Sequence, residues 1–284
     1  MTRQETETSL FPKAHFRLSL GGQMLIYAYI RKNACSAFKK LFLGESAHRK
    51  RYTGTNRVRF LNEYHSTRGM TAIPKDARTM LVLRNPYDRL VSLYLNKFVV
   101  RRGYKDIFNS YRRLTGGDPT NVTFLEFLTK YVGESPFAEL DPHVLPQTRH
   151  LAAIPYNSPV RFEHLFDDLA KVIGQQYADT YFKKKTNNTS YQSTVSEGVA
   201  PEFETFDFQT GSARLVEMHQ KTGTVPAPSC FYCEELSQLI ERRYQEDKIA
   251  FETLKQDYNR GFGVPSLTSH LGNLTNGAGR KETI

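Results

Sequence analysis

The chain has 284 residues, and 39 Lys and Arg against 29 Asp and Glu leave a formal net charge of +10. A hydrophobic fraction of 39% is low but supports a core, and the length suits one large domain or two small ones. Three cysteines exclude a disulfide framework, and no apolar run of ~18 residues is present to span a bilayer.

Residues 1–22 read as a polar lead, without the apolar core of a signal peptide in residues 1–12. Residues 23–30 are uncharged and rich in β-branched and aromatic residues, which suits a buried parallel strand. Phe38, Leu41 and Phe42 then stand at i, i+3, i+4, one apolar face of a helix. Between strand and helix lie Lys32 and the small residues Asn33, Ala34, Cys35, Ser36 and Ala37. Small side chains admit a ligand close to the backbone, and the first N–H groups of a helix lack intrahelical partners. Ser36 adds a hydroxyl and Lys32 a charge, so the loop reads as a phosphate cradle. It is not the G-x-x-x-x-G-K-[ST] loop, because here the lysine precedes the small residues. An ordinary strand–helix connection is the plainer reading of the same stretch.

Residues 44–52 form a basic connection with His48, Arg49, Lys50 and Arg51, by default a solvated loop. Residues 58–65 read as a short strand or the end of a helix, closing on His65. A second apolar strand covers residues 79–83 and runs into Arg84. Asn85 can cap the next helix and Pro86 suits its first turn. Arg84 then lies at a strand's carboxyl tip, where open α/β sheets bind ligands, and Ser92 lies on the following helix. A guanidinium fork with a hydroxyl suits a second phosphate. This helix is expected to reach residue 100, and residues 106–115 to form another. Thr123 and Glu126 make a capping box for a helix through residue 131.

Residues 133–147 form a proline-punctuated loop holding Asp141 and His143. A late strand is expected over 159–162 and an amphipathic helix over 163–173, ended by Gly174. Residues 183–190 are basic and polar, and 191–230 have little periodicity. Cys230 and Cys233 have C-x-x-C spacing with no second such pair, so they read as structural cysteines. One long amphipathic helix is expected over 234–258, then a Gly-rich tail, residues 261–284, expected to be disordered.

The two strand-tip motifs together resemble the PAPS-dependent sulfotransferases, closest to the carbohydrate branch with the chondroitin and HNK-1 enzymes. The family motif R-x-P-x-x-R-x-x-S-x-Y is matched at Arg84, Pro86, Arg89, Ser92 and Tyr94. Asp141, His143, Pro146 and Gln147 resemble its D-x-H-x-x-P-Q element, and residues 161–169 its F-E-x-L-x-x-D segment. The likeness runs in order over about residues 23–258. Arg31 departs from it, standing where proline is usual.

The resemblance implies that Lys32, Asn33, Ala34, Cys35, Ser36 and Ala37 hold the 5′-phosphosulfate of PAPS (3′-phosphoadenosine 5′-phosphosulfate). It implies that Arg84 and Ser92 hold the 3′-phosphate, and that PAP is the product. Several sulfotransferases place a catalytic histidine between the two motifs, where His65 stands; His143 is the rival base. The expected fold is α/β, P-loop-like, a single domain over residues 23–260 with a central, mostly parallel sheet flanked by helices. The expected function is sulfuryl transfer to a hydroxyl, on a carbohydrate or glycoconjugate, with no metal, nucleic acid or membrane span. The absent anchor suggests a cytoplasmic, bacterial-type enzyme. Two alternatives stay open: a non-enzymatic polyanion binder, and a P-loop-like kinase, which would need a Gly-Lys-Ser/Thr run that this chain lacks.

Overall fold

Strands buried on both faces need apolar side chains at successive positions, and residues 25–28 and 80–83 supply them. The computed structural model describes residues 10–11, 13–183 and 206–260. In chain order the elements are β1 (His15–Leu20), β2 (Gln23–Ala28), α1 (Cys35–Glu45), α2 (Arg57–Tyr64), β3 (Arg78–Leu83), α3 (Pro86–Tyr94), α4 (Lys105–Thr115) and α5 (Phe124–Glu126). They continue with β4 (Ser158–Arg161), α6 (Leu165–Ile173), α7 (Gln175–Tyr181), α8 (Ser212–Thr222), α9 (Glu234–Arg243) and α10 (Gln245–Arg260). The α/β class is as the sequence implies, with a four-stranded, mostly parallel sheet and ten α-helices among the described residues.

These residues fall into two compact units. One is drawn from residues 1–84, 147–186 and 249–284, the other from 85–146 and 187–248. The first unit holds the whole sheet, in the order β1-β2-β3-β4. β2 pairs with β3 and β3 with β4 in parallel, while β1 pairs antiparallel with β2. Alternation sends Leu25, Tyr27, Met80 and Val82 to one face, against Phe38, Leu41 and Phe42 of α1 and Leu169 of α6. Ile26, Ala28, Leu81 and Leu83 point to the other face, with Tyr156 and with Phe251 and Leu254 of α10. Tyr27 stacks on Phe38 with ring centroids 4.1 Å apart, which fixes α1 over β2. Gly44 lets α1 approach the Tyr181 ring of α7, because a Cβ there would press on its hydroxyl and displace it.

The second unit is helical and aromatic. Tyr94, Phe98, Phe124, Phe127 and Phe231 pack edge-to-face and stacked at its centre. The capping box at Thr123 and Glu126 forms as its sequence requires.

Three local expectations are corrected, and one open reading is decided. His15–Leu20 is a strand with six paired residues, not part of a loose lead. Of the two readings for residues 58–65 the helical one holds: residues 57–64 are helical, started by Asn56, whose side chain accepts from the N–H groups of Val58 and Arg59. Ser212–Thr222 is a helix within the stretch that lacked periodicity; only Ser212, Leu215 and Met218 of it are buried, too few to print a pattern. The long helix over 234–258 breaks at Tyr244, which leaves the helical region at φ −114° and ψ 38°. Its buried hydroxyl donates to Val144 O at 2.6 Å, and no Pro or Gly marks the break. The expectations for residues 184–190 and 261–284 lie outside the described residues.

His15 is enclosed in the first unit, its Nδ1 donating to Lys13 O and its Nε2 accepting from the Tyr156 hydroxyl. Burial lowers its pKa from 6.5 to about 4, opposed by the Lys13 carbonyl. The unfolded chain therefore takes up this proton first as pH falls. The stability His15 contributes is complete above pH 6.5 and is lost on descent toward pH 4, by up to about 3 kcal/mol. Urea midpoints measured between pH 7 and pH 4.5 should fall more steeply for the wild type than for His15→Gln. Equal slopes would contradict the buried neutral imidazole.

Candidate active site

β2 leaves the sheet at Ala28, and the chain turns through Lys32 and Ala34 into α1. Lys32 has φ 72° and Ala34 φ 57°, so two L-residues that flank Asn33 occupy the left-handed region. Such conformations cost on the order of 1 kcal/mol each and persist only where surrounding contacts hold them. Asn33 supplies those contacts. It is 0% exposed, and its Nδ2 donates to Val82 O of β3 at 2.7 Å and to Gln147 Oε1. Its Oδ1 is buried without a hydrogen-bond partner among the described residues. Cys35, Ser36 and Ala37 form the first turn of α1, at the positive end of the helix dipole, and the Ala37 N–H donates to Ala34 O at 2.9 Å. Ala34 caps this helix with no side-chain hydrogen bond. Cys35 is a free, half-buried thiol.

Arg84 follows the last residue of β3 and is half-buried. Its guanidinium lies 4.3 Å over the Phe162 ring, and Nη1 donates to Lys32 O at 3.4 Å. The cradle loop and the arginine of the second motif are thus brought into contact within the first unit.

α3, in the second unit, begins differently from α1. Asn85 accepts from the N–H groups of Tyr87 and Asp88, so this helix start is occupied by its own side-chain cap. The first motif can therefore offer helix N–H groups to an anion, whereas the second must rely on side chains. Ser92 is half-buried on α3. Arg89 is only 1% exposed, and its Nη2 donates to His143 O at 3.1 Å. Tyr94 is a core residue whose hydroxyl donates to Val122 O at 2.6 Å. A π-helical turn, Leu95–Val99, follows, and Lys97 in it donates to the carbonyls of Arg102 and Gly103.

The two histidines differ in kind. His65 is 5% exposed; its Nδ1 donates to Arg17 O at 2.9 Å and its Nε2 accepts from the Ser46 hydroxyl at 2.9 Å. Burial lowers its pKa, partly offset by the Arg17 carbonyl and assisted by the charges of His48 and Arg17. His143 is partly exposed and lies in the second unit. Its Nδ1 donates to Asp141 Oδ1 at 2.7 Å, and its backbone N–H donates to the same oxygen at 2.8 Å. Asp141 is buried, and its N–H donates to the Tyr131 hydroxyl at 3.1 Å. A carboxylate on Nδ1 selects the tautomer that places the basic lone pair on Nε2.

Sequence reasoning missed the parts played by Phe162 and Gln147. Both stand in the quoted F-E-x-L and P-Q segments, where nothing local tells a platform or a tie from a filler. Cys230 and Cys233 are free thiols, and Cys233 donates to Glu235 Oε2 at 2.8 Å. Among the described residues no three His, Cys, Asp or Glu are grouped to hold a metal, and no helix is long and apolar enough to cross a membrane.

The sulfotransferase family description matches residues 20–252, most of the chain and both motifs. The chain belongs to the sulfotransferase family. No curated protein and no solved structure matches it. This sulfotransferase is accordingly a transferase of sulfuryl groups acting on a hydroxyl-bearing acceptor.

Proposed function

We propose that this sulfotransferase transfers the sulfuryl group of PAPS to a hydroxyl of a carbohydrate acceptor, by in-line displacement at sulfur. The observation that carries the reading is the uncapped start of α1 beside Lys32, held against Arg84 at the tip of β3. The residues suit a nucleotide with phosphates at two positions. The first turn of α1 offers N–H groups and the Ser36 hydroxyl to a 5′-phosphate, and small side chains from Asn33 to Ala37 leave the backbone approachable. Arg84 and Ser92 offer a guanidinium and a hydroxyl to a 3′-phosphate. When bound, the donor supplies an activated sulfuryl group on a phosphate leaving group.

Lys32 sets an ammonium where negative charge gathers on the bridging and leaving oxygens. The base role goes to His143, whose Nε2 lone pair is fixed by Asp141 and can accept the acceptor hydroxyl's proton. His65 has both ring nitrogens committed within the fold, so it is better suited to joining β1 to the end of α2. The exposed Arg49, Lys50 and Arg51 support an acidic glycan as acceptor.

Calorimetric titration of the purified protein with PAP and with 5′-AMP tests the donor. PAP should bind at least tenfold tighter, as a charge-assisted contact to the 3′-phosphate implies. Equal or absent binding, with steep salt dependence, would favour a polyanion binder instead. Lys32→Ala should leave the melting temperature within a few degrees of wild type and abolish turnover of labelled PAPS. Near-wild-type turnover in that variant would sink the mechanism. His143→Ala should lower kcat about 10²- to 10⁴-fold with the fold retained. His65→Ala should act mainly on stability, by about 2–4 kcal/mol; the reverse pattern would move the base to His65.

A further inference from the structure

The structure assigns Gln147 as the positioning residue that holds the loop after β2 and Arg84 at the tip of β3 in one geometry, through its side-chain carboxamide and without touching the nucleotide. It is 0% exposed. Its Oε1 accepts from the Arg84 backbone N–H at 3.0 Å, and its Nε2 donates to Arg84 O at 2.9 Å. One amide group thus pairs with both polar groups of one residue, as a neighbouring strand would. The place explains the need. β3 is paired with β4 only as far as Leu83 and Arg161, so at Arg84 the strand runs past its partner. Backbone groups buried there must be satisfied by something other than the sheet. Pairing both of them sets the backbone angles of Arg84, and with these the direction in which its side chain leaves.

The same Oε1 also accepts from Asn33 Nδ2, the second bond of an amide that already reaches Val82 O. Gln147 therefore ties the left-handed turn at Lys32 and Ala34 to the residue that ends β3. A side chain of equal volume without an amide would fill the space and lose all three bonds. Arg84 and the cradle would then be free to shift separately. The part that concerns nucleotide rests on the reading given under Proposed function.

The test compares wild type with Gln147→Met, which conserves volume. Amide hydrogen exchange of Arg84, with no nucleotide present, should quicken at least about tenfold, while Val82 within the ladder keeps its protection. Affinities for PAP and for 5′-AMP should both fall, about tenfold or more, because cradle and arginine loosen together. In a double-mutant cycle with Asn33→Ala, the two losses should be less than additive. Unchanged exchange at Arg84 together with unchanged PAP affinity would overturn the assignment. If wild type itself fails to prefer PAP, the donor reading falls, and exchange at Arg84 still decides the assignment. Should Gln147→Met not fold, Gln147→Glu retains both acceptor bonds; Arg84 N–H exchange near the wild-type rate in that variant supports the assignment, and exchange faster by tenfold or more contradicts it.

Discussion

Parallel pairing of β2 with β3 brings the carboxyl ends of both strands to the same edge of the sheet. The contact between the loop after β2 and Arg84 follows from that constraint. An antiparallel pair would send the two chain exits to opposite edges, and a loop after one strand could not meet a residue after the other. Here Lys32 O and Arg84 Nη1 come within 3.4 Å although 52 positions separate them in the chain. The pairing is in turn possible because both strands are apolar on both faces, so that helices can cover each side. β1 closes the edge beyond β2 in the antiparallel sense, needing only the two-residue turn at Gly21 and Gly22, both at positive φ.

The helix starts divide the electrostatic labour. α1 begins without a side-chain cap and α3 with one. A capped start has already spent its outward N–H groups on its own asparagine, so in the proposed donor site the second motif contributes side chains alone. Arginine is well suited to that, since its planar fork specifies direction as well as charge. The Phe162 ring below Arg84 restricts the guanidinium further, replacing water on one of its faces.

Much of this was legible in the sequence, for identifiable reasons. Strands buried on both sides leave unbroken apolar runs, and Pro86 and Asn85 announce a helix start wherever they fall. The turn from β2 into α1 was readable from small residues after a strand. What stayed hidden depends on distant partners. Arg89 is matched in the second motif, and nothing local in the sequence tells that it is buried and bound to the His143 carbonyl. His65 sits in the interval expected for a base, but Arg17 and Ser46, 48 and 19 positions away, hold both its nitrogens. β1 was lost because its polar residues, Arg17 and Ser19, fall on exposed positions of an edge strand, which lowers its apparent hydrophobicity. The break at Tyr244 has no punctuation in sequence, because a tertiary hydrogen bond accompanies it.

Lys32 adopts a backbone conformation that glycine would enter without strain, φ 72°. Glycine there would relieve roughly 1 kcal/mol and make a better turn. The ammonium, however, is the group the proposed chemistry requires. Fold stability and transfer rate therefore pull this one position in opposite directions. On the proposed chemistry, a library selected only for thermal resistance would drift toward glycine at 32 and lose turnover, whereas one selected for turnover would keep the strained lysine.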